Sequence, residues 1–167
     1  MEALHAGLER RRIEGDDIAA AVLRLLPDWT VEALPVATGD REAVSARALY
    51  DAAAAELDAG HPERAAARLS GLLDSDVSRA DALCGLAVVC MRTQNYDDAL
   101  VLANKCIELQ VTNPRALCIA GFCELKRGNR KAAQTLLARV ARIARKLPEF
   151  REDMRAAQRM LLNLHFA

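Results

Sequence analysis

Apolar and small residues recur along the central part of the chain with a spacing of 34 residues. When the sequence is shifted against itself by that distance, six columns of similar residues align without a gap. The columns are Leu49, Leu83, Leu117; Ala53, Ala87, Gly121; Gly60, Gln94, Gly128; Ala65, Ala99, Ala133; Leu69, Ala103, Leu137; and Leu72, Cys106, Val140. A fixed period of this length indicates an array in which each repeat is one supersecondary unit.

The period and the residue types resemble the tetratricopeptide repeat, a helix–turn–helix unit of 34 residues. Its small residues are those that let the two helices approach closely, and its glycine allows a left-handed turn. Because Gln94 stands in the glycine column, we expect a slightly strained or differently shaped turn there. We therefore predict an all-α solenoid of three repeats at 45–78, 79–112 and 113–147. Its helices are predicted at 45–58, 62–74, 79–92, 96–109, 113–126 and 130–146.

Two segments flank the predicted repeats. After Pro148, apolar residues at helical spacing predict a C-terminal capping helix at 149–163. Residues 1–44 are predicted to be an N-terminal helical segment, with an apolar stripe that ends before Pro27. The stripe consists of Ile18, Val22, Leu25 and Leu26. Because a short solenoid has two open ends, this stripe would either cap the first repeat or form a homodimer through residues 1–30.

Composition narrows the class of protein. Of the 167 residues, 52% are apolar and 28% are charged, with 23 charges of each sign, which excludes intrinsic disorder. The longest apolar run, Ala82–Met91, is half as long as the ~20 residues that a membrane span needs. With no apolar signal region at the N-terminus either, we expect a soluble, cytoplasmic protein.

Motifs for catalysis and metal binding are missing from the sequence. There is no Gly-rich phosphate loop, H-E-x-x-H or G-x-S-x-G, so we predict no catalytic residues and not an enzyme. The five cysteines form no C-x-x-C pair and only three histidines are present. We expect reduced, buried thiols rather than a zinc site or disulfides, and no metal or cofactor.

Charge is unevenly distributed along the chain. From Lys105 onward there are thirteen Lys or Arg against five Asp or Glu, a net of +8, so the preceding residues carry −8. Arg139, Arg142 and Lys146 follow one helical face, which could bind nucleic acid or an acidic protein segment. The neutral total and the absence of interleaved aromatic residues argue against a dedicated nucleic-acid reader. A solvated face is the simpler interpretation.

In this repeat architecture the first helices line a concave surface. In this sequence, most of the repeat positions that face that surface are occupied by apolar residues. We predict a peptide-binding floor formed by Tyr50, Leu57, Cys84, Val88, Met91, Cys118, Phe122 and Leu125. Its edges are predicted to be Arg47, Arg92, Arg115 and Lys126. An apolar floor suits an extended peptide with apolar anchors, whereas capture of a terminal carboxylate needs Asn and Lys there. Alternatively, the N-terminal segment shields part of this floor.

The chain as a whole resembles the class II (SycD/LcrH-type) chaperones of bacterial type III secretion. The stretches ALYDAAAAELDAGHPERAAARL and RALCIAGFCELKRGNRKAAQTLLARV are similar to the first and third repeats of that family, and the resemblance covers Ser45–Leu164. It implies a cytoplasmic, non-enzymatic chaperone that holds hydrophobic translocator proteins soluble before export by binding an extended segment in the groove. The alternatives are a general scaffold or co-chaperone for an unrelated peptide, and a regulator that binds nucleic acid through the basic C-terminal half.

Overall fold

A computed structural model of the chain describes Ala21, Arg24, residues 41–73 and residues 79–166, with side chains for Ala21, Arg24, 48–73 and 79–164. These ranges form seven longer helices and one 3-10 turn, Pro148–Phe150, and contain no strand. The helices are α1 (Arg41–Asp58), α2 (Pro62–Ser70), α3 (Arg79–Arg92), α4 (Tyr96–Leu109), α5 (Pro114–Lys126), α6 (Arg130–Ala144) and α7 (Arg151–Phe166). The predicted all-α architecture is confirmed.

The helices pack in sequential pairs that stack into a short solenoid. Helix α1 packs on α2, α3 on α4 and α5 on α6, and each pair packs on the next. The first helices of successive pairs also touch, α1 with α3 and α3 with α5, and α5 touches α7. Among the described ranges, the second helices α2, α4 and α6 make no comparable contacts with one another. The first helices therefore line the inner, concave side, and the second helices face outward.

One type of turn ends the first helix of all three pairs. In the first pair, the Gly60 N–H donates to the Leu57 carbonyl (3.2 Å) and the His61 N–H to the Glu56 carbonyl (2.8 Å). The same bonds recur as Gln94 to Met91 and Asn95 to Cys90, and as Gly128 to Leu125 and Asn129 to Glu124. This Schellman motif requires a positive φ, which is 84° at Gly60, 64° at Gln94 and 83° at Gly128. The turn at Gln94 has the same shape as the other two, so the predicted difference in shape is wrong, and the predicted strain lies in the positive φ of a residue other than glycine.

The small residues of the repeat are the points of closest helix approach. All six are buried, as predicted: Ala53, Ala87, Gly121, Ala65, Ala99 and Ala133. At Gly121 a Cβ atom would lie 2.8 Å from the Leu137 side chain, so α5 and α6 meet at a distance that only glycine allows. Packing of this kind explains why the 34-residue period is so regular in these columns.

Several helix ends differ from the predicted boundaries. Helix α1 begins at Arg41 rather than 45, and α6 ends at Ala144 rather than 146. Helix α2 ends at Ser70 rather than 74, because its chain tightens into turns in which the Leu72 N–H bonds the Leu69 carbonyl (3.0 Å). The capping helix runs over Arg151–Phe166 rather than 149–163, because Pro148 starts the separate 3-10 turn.

Two described residues of the N-terminal segment contact the repeats. Ala21 is fully buried within the hydrophobic core. The Arg24 Nε donates to Asp98 Oδ2 (2.7 Å) and its Nη2 donates to the other carboxylate oxygen. This ion pair lies on α4 of the second pair, not on the first repeat. The predicted stripe of Ile18, Val22, Leu25 and Leu26 lies outside the described residues.

Candidate peptide-binding groove

Six of the predicted floor residues lie on the first helices as half-buried side chains. They are Tyr50 and Leu57 of α1, Val88 and Met91 of α3, and Phe122 and Leu125 of α5. Each leaves part of its apolar surface uncovered, and five of them pack against the two core clusters on their other side. We call these six residues the apolar floor. Because every first helix supplies two of them, the floor runs across all three repeats.

Two predicted floor residues, Cys84 and Cys118, are buried instead of open. Their exposed fractions are 3% and 8%, so neither presents useful surface to a ligand. The Cys118 thiol points at the Asp153 carbonyl of α7 (3.8 Å), and burial raises its pKa to about 12. The neighbouring Cys106 thiol and burial raise the pKa of Cys84 well above its usual range. Both are protonated thiols that support the floor from beneath.

Tyr50 has room on the floor because α3 carries a glycine opposite it. A Cβ at Gly85 would lie 3.3 Å from the Tyr50 ring and 2.9 Å from the Leu69 side chain. Burial raises the pKa of the Tyr50 hydroxyl, which is therefore protonated at neutral pH. Gly85 did not figure among the candidate residues, although an isolated glycine within a helical pattern is itself a signal of close packing.

One edge of the floor is crossed by a polar connection. Arg115 of α5 has its Nε 3.6 Å from Asp153 Oδ1 of α7, and its guanidinium also lies beside Tyr50. Arg115 was predicted as an edge residue from its repeat position, whereas its partner Asp153 belongs to the capping helix and gave no sequence signal. The connection links the first and third repeats with the capping helix.

The opposite edge carries two further predicted cations. Arg92 pairs with Asp58 (2.9 Å), joining the first two repeats. The Lys126 Nζ lies 5.4 Å from the centre of the Phe122 ring, within the range of a cation–π contact. Tyr96, which was not predicted here, packs edge-on against that ring at 6.0 Å. The side chain of Arg47, the remaining predicted edge residue, lies outside the described side chains.

The five cysteines are all unpaired and buried. In the part of the chain that the structure describes, no cluster of three or more His, Cys, Asp or Glu side chains could hold a metal ion. None of the described helices is both long enough and apolar enough to cross a membrane.

Comparisons with known proteins find solved structures that share this architecture. No protein-family model and no curated protein matches the sequence. PcrH from Pseudomonas aeruginosa matches in structure with a TM-score of 0.69 at 20% identity, over 81% of this chain and 99% of PcrH. SycD, the type III secretion translocator chaperone of Yersinia enterocolitica, matches in an alternative dimer form with a TM-score of 0.67 at 21% identity, over 77% of this chain and 97% of SycD. The chain has the SycD fold.

A third match carries a ligand. SycD in complex with a peptide of the translocator YopD has a TM-score of 0.65 at 21% identity, over 77% of this chain and 98% of that one. The resemblance to translocator chaperones predicted from the sequence is thus confirmed at the level of the fold.

Proposed function

We propose that this protein is a non-enzymatic, cytoplasmic chaperone of bacterial type III secretion. It binds an extended segment of a hydrophobic translocator protein on the apolar floor and keeps that protein soluble before export. The observation that carries the proposal is the run of half-buried apolar side chains across all three first helices. Its support is the fold shared with SycD, a protein whose structure with a translocator peptide is known.

The physical basis is burial of apolar side chains that the client would otherwise expose. An extended segment can place alternate side chains on the floor, and a good anchor contributes ~2 kcal/mol or more. The cations on the two edges, Arg92, Arg115 and Lys126, stand where they can donate to the carbonyl oxygens of such a segment. The floor therefore supplies affinity, and the edges orient the bound chain.

The test is to co-express the protein with the secreted, membrane-inserting proteins encoded beside its gene and to titrate the partner that co-purifies. Tyr50→Ala and Phe122→Asp should abolish binding, because each removes an apolar contact from the floor. Phe122→Leu is the matched control, since it keeps an apolar side chain and should retain most of the affinity.

A second control separates the groove from the basic half of the chain. Arg139→Gln with Arg142→Gln should leave client binding nearly unchanged, because both residues lie on α6, away from the floor. Thermal melts of every variant check that it is folded. If the floor variants stay folded and bind normally while the arginine variant fails, the groove is not the client site.

A further inference from the structure

Helix α6 carries a strongly basic surface that the proposed groove does not use. The residues from Arg130 to Pro148 include six Lys or Arg and no Asp or Glu. The helix turns Ala133, Leu137 and Val140 into the core. Its opposite face, which includes Arg142, is exposed, and so are Arg145 and Lys146 directly after its last residue, Ala144. As a second helix of the solenoid, α6 presents this face on the outer side, away from the apolar floor.

The exposed cations at the end of α6 form no ion pairs with acidic side chains in the described ranges. Three other cations in the third repeat and the capping helix have acidic partners: Arg115 with Asp153, Arg127 with Asp97 and Arg155 with Glu152. By contrast, Arg142, Arg145 and Lys146 pair with no acidic side chain in the described ranges, and all three are exposed. Cations at the end of a helix interact favourably with its dipole, but α6 also begins with Arg130 and Lys131, where positive charge is unfavourable. Helix stability alone therefore does not account for the charge pattern.

Two exposed apolar side chains lie in the segment that Arg139 of α6 contacts. Leu109, the last residue of α4, and Val111, two residues further on, are 53% and 57% exposed. Arg139 of α6 donates from Nη2 to the Val111 carbonyl (2.7 Å), which fixes this loop against the basic helix. We call the combined feature the outer basic surface; it consists of Leu109, Val111, Arg139, Arg142, Arg145 and Lys146.

We propose that the outer basic surface binds an acidic, amphipathic segment of a partner protein, independently of the groove. Guanidinium groups pair with carboxylates in defined geometry, and the adjoining leucine and valine offer apolar area for the other face of such a segment. The surface contains no aromatic side chain on which a nucleic-acid base could stack. A protein with both surfaces could hold a client on its inner side while an acidic partner docks on its outer side.

The probe is a synthetic helical peptide with glutamate on most of its surface and one stripe of leucine. Its binding to the full-length protein is titrated at ~0.15 M salt, where exposed charges more than a Debye length apart are screened. The wild type should bind, and Arg142→Glu with Arg145→Glu should raise Kd about tenfold or more. Leu109→Ser with Val111→Ser should also raise Kd, but should not change binding of a peptide whose leucines are replaced by alanine.

Matched controls separate the surface from net charge. Arg151→Glu with Arg159→Glu makes the same charge change at exposed positions of α7 and should leave Kd within about twofold of wild type. If the α6 charge reversal does not fold by thermal melt, Arg142→Gln with Arg145→Gln replaces it.

Three results would overturn the proposal. The first is that the wild type does not bind the glutamate–leucine peptide. The second is that the α7 control weakens binding as much as the α6 variant does. The third is that duplex DNA of equal charge, or phosphatidylserine-containing vesicles, bind more tightly than the peptide and depend on Arg142 and Arg145. Client binding in the groove is measured separately and is expected to be unchanged in every variant.

Discussion

Gln94 holds a backbone conformation that its side chain disfavours. Its φ of 64° is left-handed, while glycine fills the equivalent turns at Gly60 and Gly128. A residue with a side chain is ~1–2 kcal/mol less stable in the left-handed region than in the right-handed one. Replacement by glycine removes this penalty, but part of the gain in stability is offset because glycine loses more conformational entropy on folding. We therefore expect Gln94→Gly to raise the free energy of unfolding by about 0.5–1 kcal/mol, measured by urea denaturation.

The reverse substitution is the matched control. Gly128→Gln places a side chain in the same turn of the third repeat, where a Cβ has open space around it, so only the backbone penalty should act. It should destabilise by a similar amount. A loss of stability in Gln94→Gly would mean that contacts of the glutamine side chain outweigh its backbone strain.

Ala99 is a position at which the cost of added side-chain volume between two helices can be measured. It is fully buried in the core and belongs to the small-residue column of the repeat. Ala99→Leu overpacks this contact and should cost ~1–3 kcal/mol of unfolding free energy. Ala55→Leu, on the exposed face of α1, is the control and should change stability by less than ~0.5 kcal/mol. Equal effects at both positions would contradict the close packing assigned to Ala99.

The register of the helices follows from the sequence because small residues and turn residues repeat together. Ala53, Ala87 and Gly121 are each required where two helices meet, so their period reports the position of every pair. Contacts made once, such as Arg24 with Asp98 or Gly85 beneath Tyr50, leave no periodic signal. They depend on residues far apart in sequence, and the repeat pattern does not predict them.

The candidate site was predictable only in part for the same reason. A repeat position determines which side of a helix a residue occupies, and Phe122 and Met91, at positions predicted to form the floor, are half-buried side chains. It does not determine what a neighbouring element covers. Cys118 is buried because α7 lies over it, and the position of α7 depends on contacts outside the repeat.

At the scale of elements, an ion pair joins the N-terminal segment to α4. Asp98 is 3% exposed and accepts from Arg24 and from Asn95 Nδ2 (2.5 Å). The hydrogen bond from Arg24 is the largest cause that lowers the pKa of Asp98. A carboxyl whose pKa is lower in the folded state stabilises the fold above its unfolded pKa, and this stabilisation is lost as the pH falls through the folded pKa.

We therefore expect Asp98→Asn to lower the free energy of unfolding by about 1–3 kcal/mol at pH ~7. The difference from wild type should shrink as the pH falls below ~4, measured by urea denaturation across that range. Arg24→Gln is the control: combined with Asp98→Asn, it should cost little more than either change alone. A pH-independent difference would assign the effect to packing rather than to the ion pair.

At the scale of the whole molecule, the solenoid separates two kinds of surface. Inner first helices carry the apolar floor, and the outer helix α6 carries cations without acidic partners in the described ranges. Floor and α6 substitutions change side chains that are at least partly exposed, and they leave the buried contact of Gly121 with Leu137 between α5 and α6 unchanged. This is why floor variants and α6 variants can be measured against each other in a single protein.

The last prediction concerns the N-terminal segment, for which the sequence left a cap and a homodimer as alternatives. Ala21 and Arg24 contact the core and Asp98 of the same chain, so part of this segment packs within one chain, on the second repeat rather than only on the first. Deleting residues 1–30 should uncover core surface and leave the Asp98 carboxylate without its arginine. We expect Tm to fall by at least about 5 °C, since 1 kcal/mol corresponds to ~2–4 °C in a domain of this size. The solution mass, measured by light scattering, should decrease only by the deleted residues.

Asp98→Asn in the shortened chain should recover part of the lost thermal stability, because it removes the uncompensated charge. A change from dimer to monomer mass would favour the homodimer instead, and unchanged mass with unchanged Tm would contradict both alternatives.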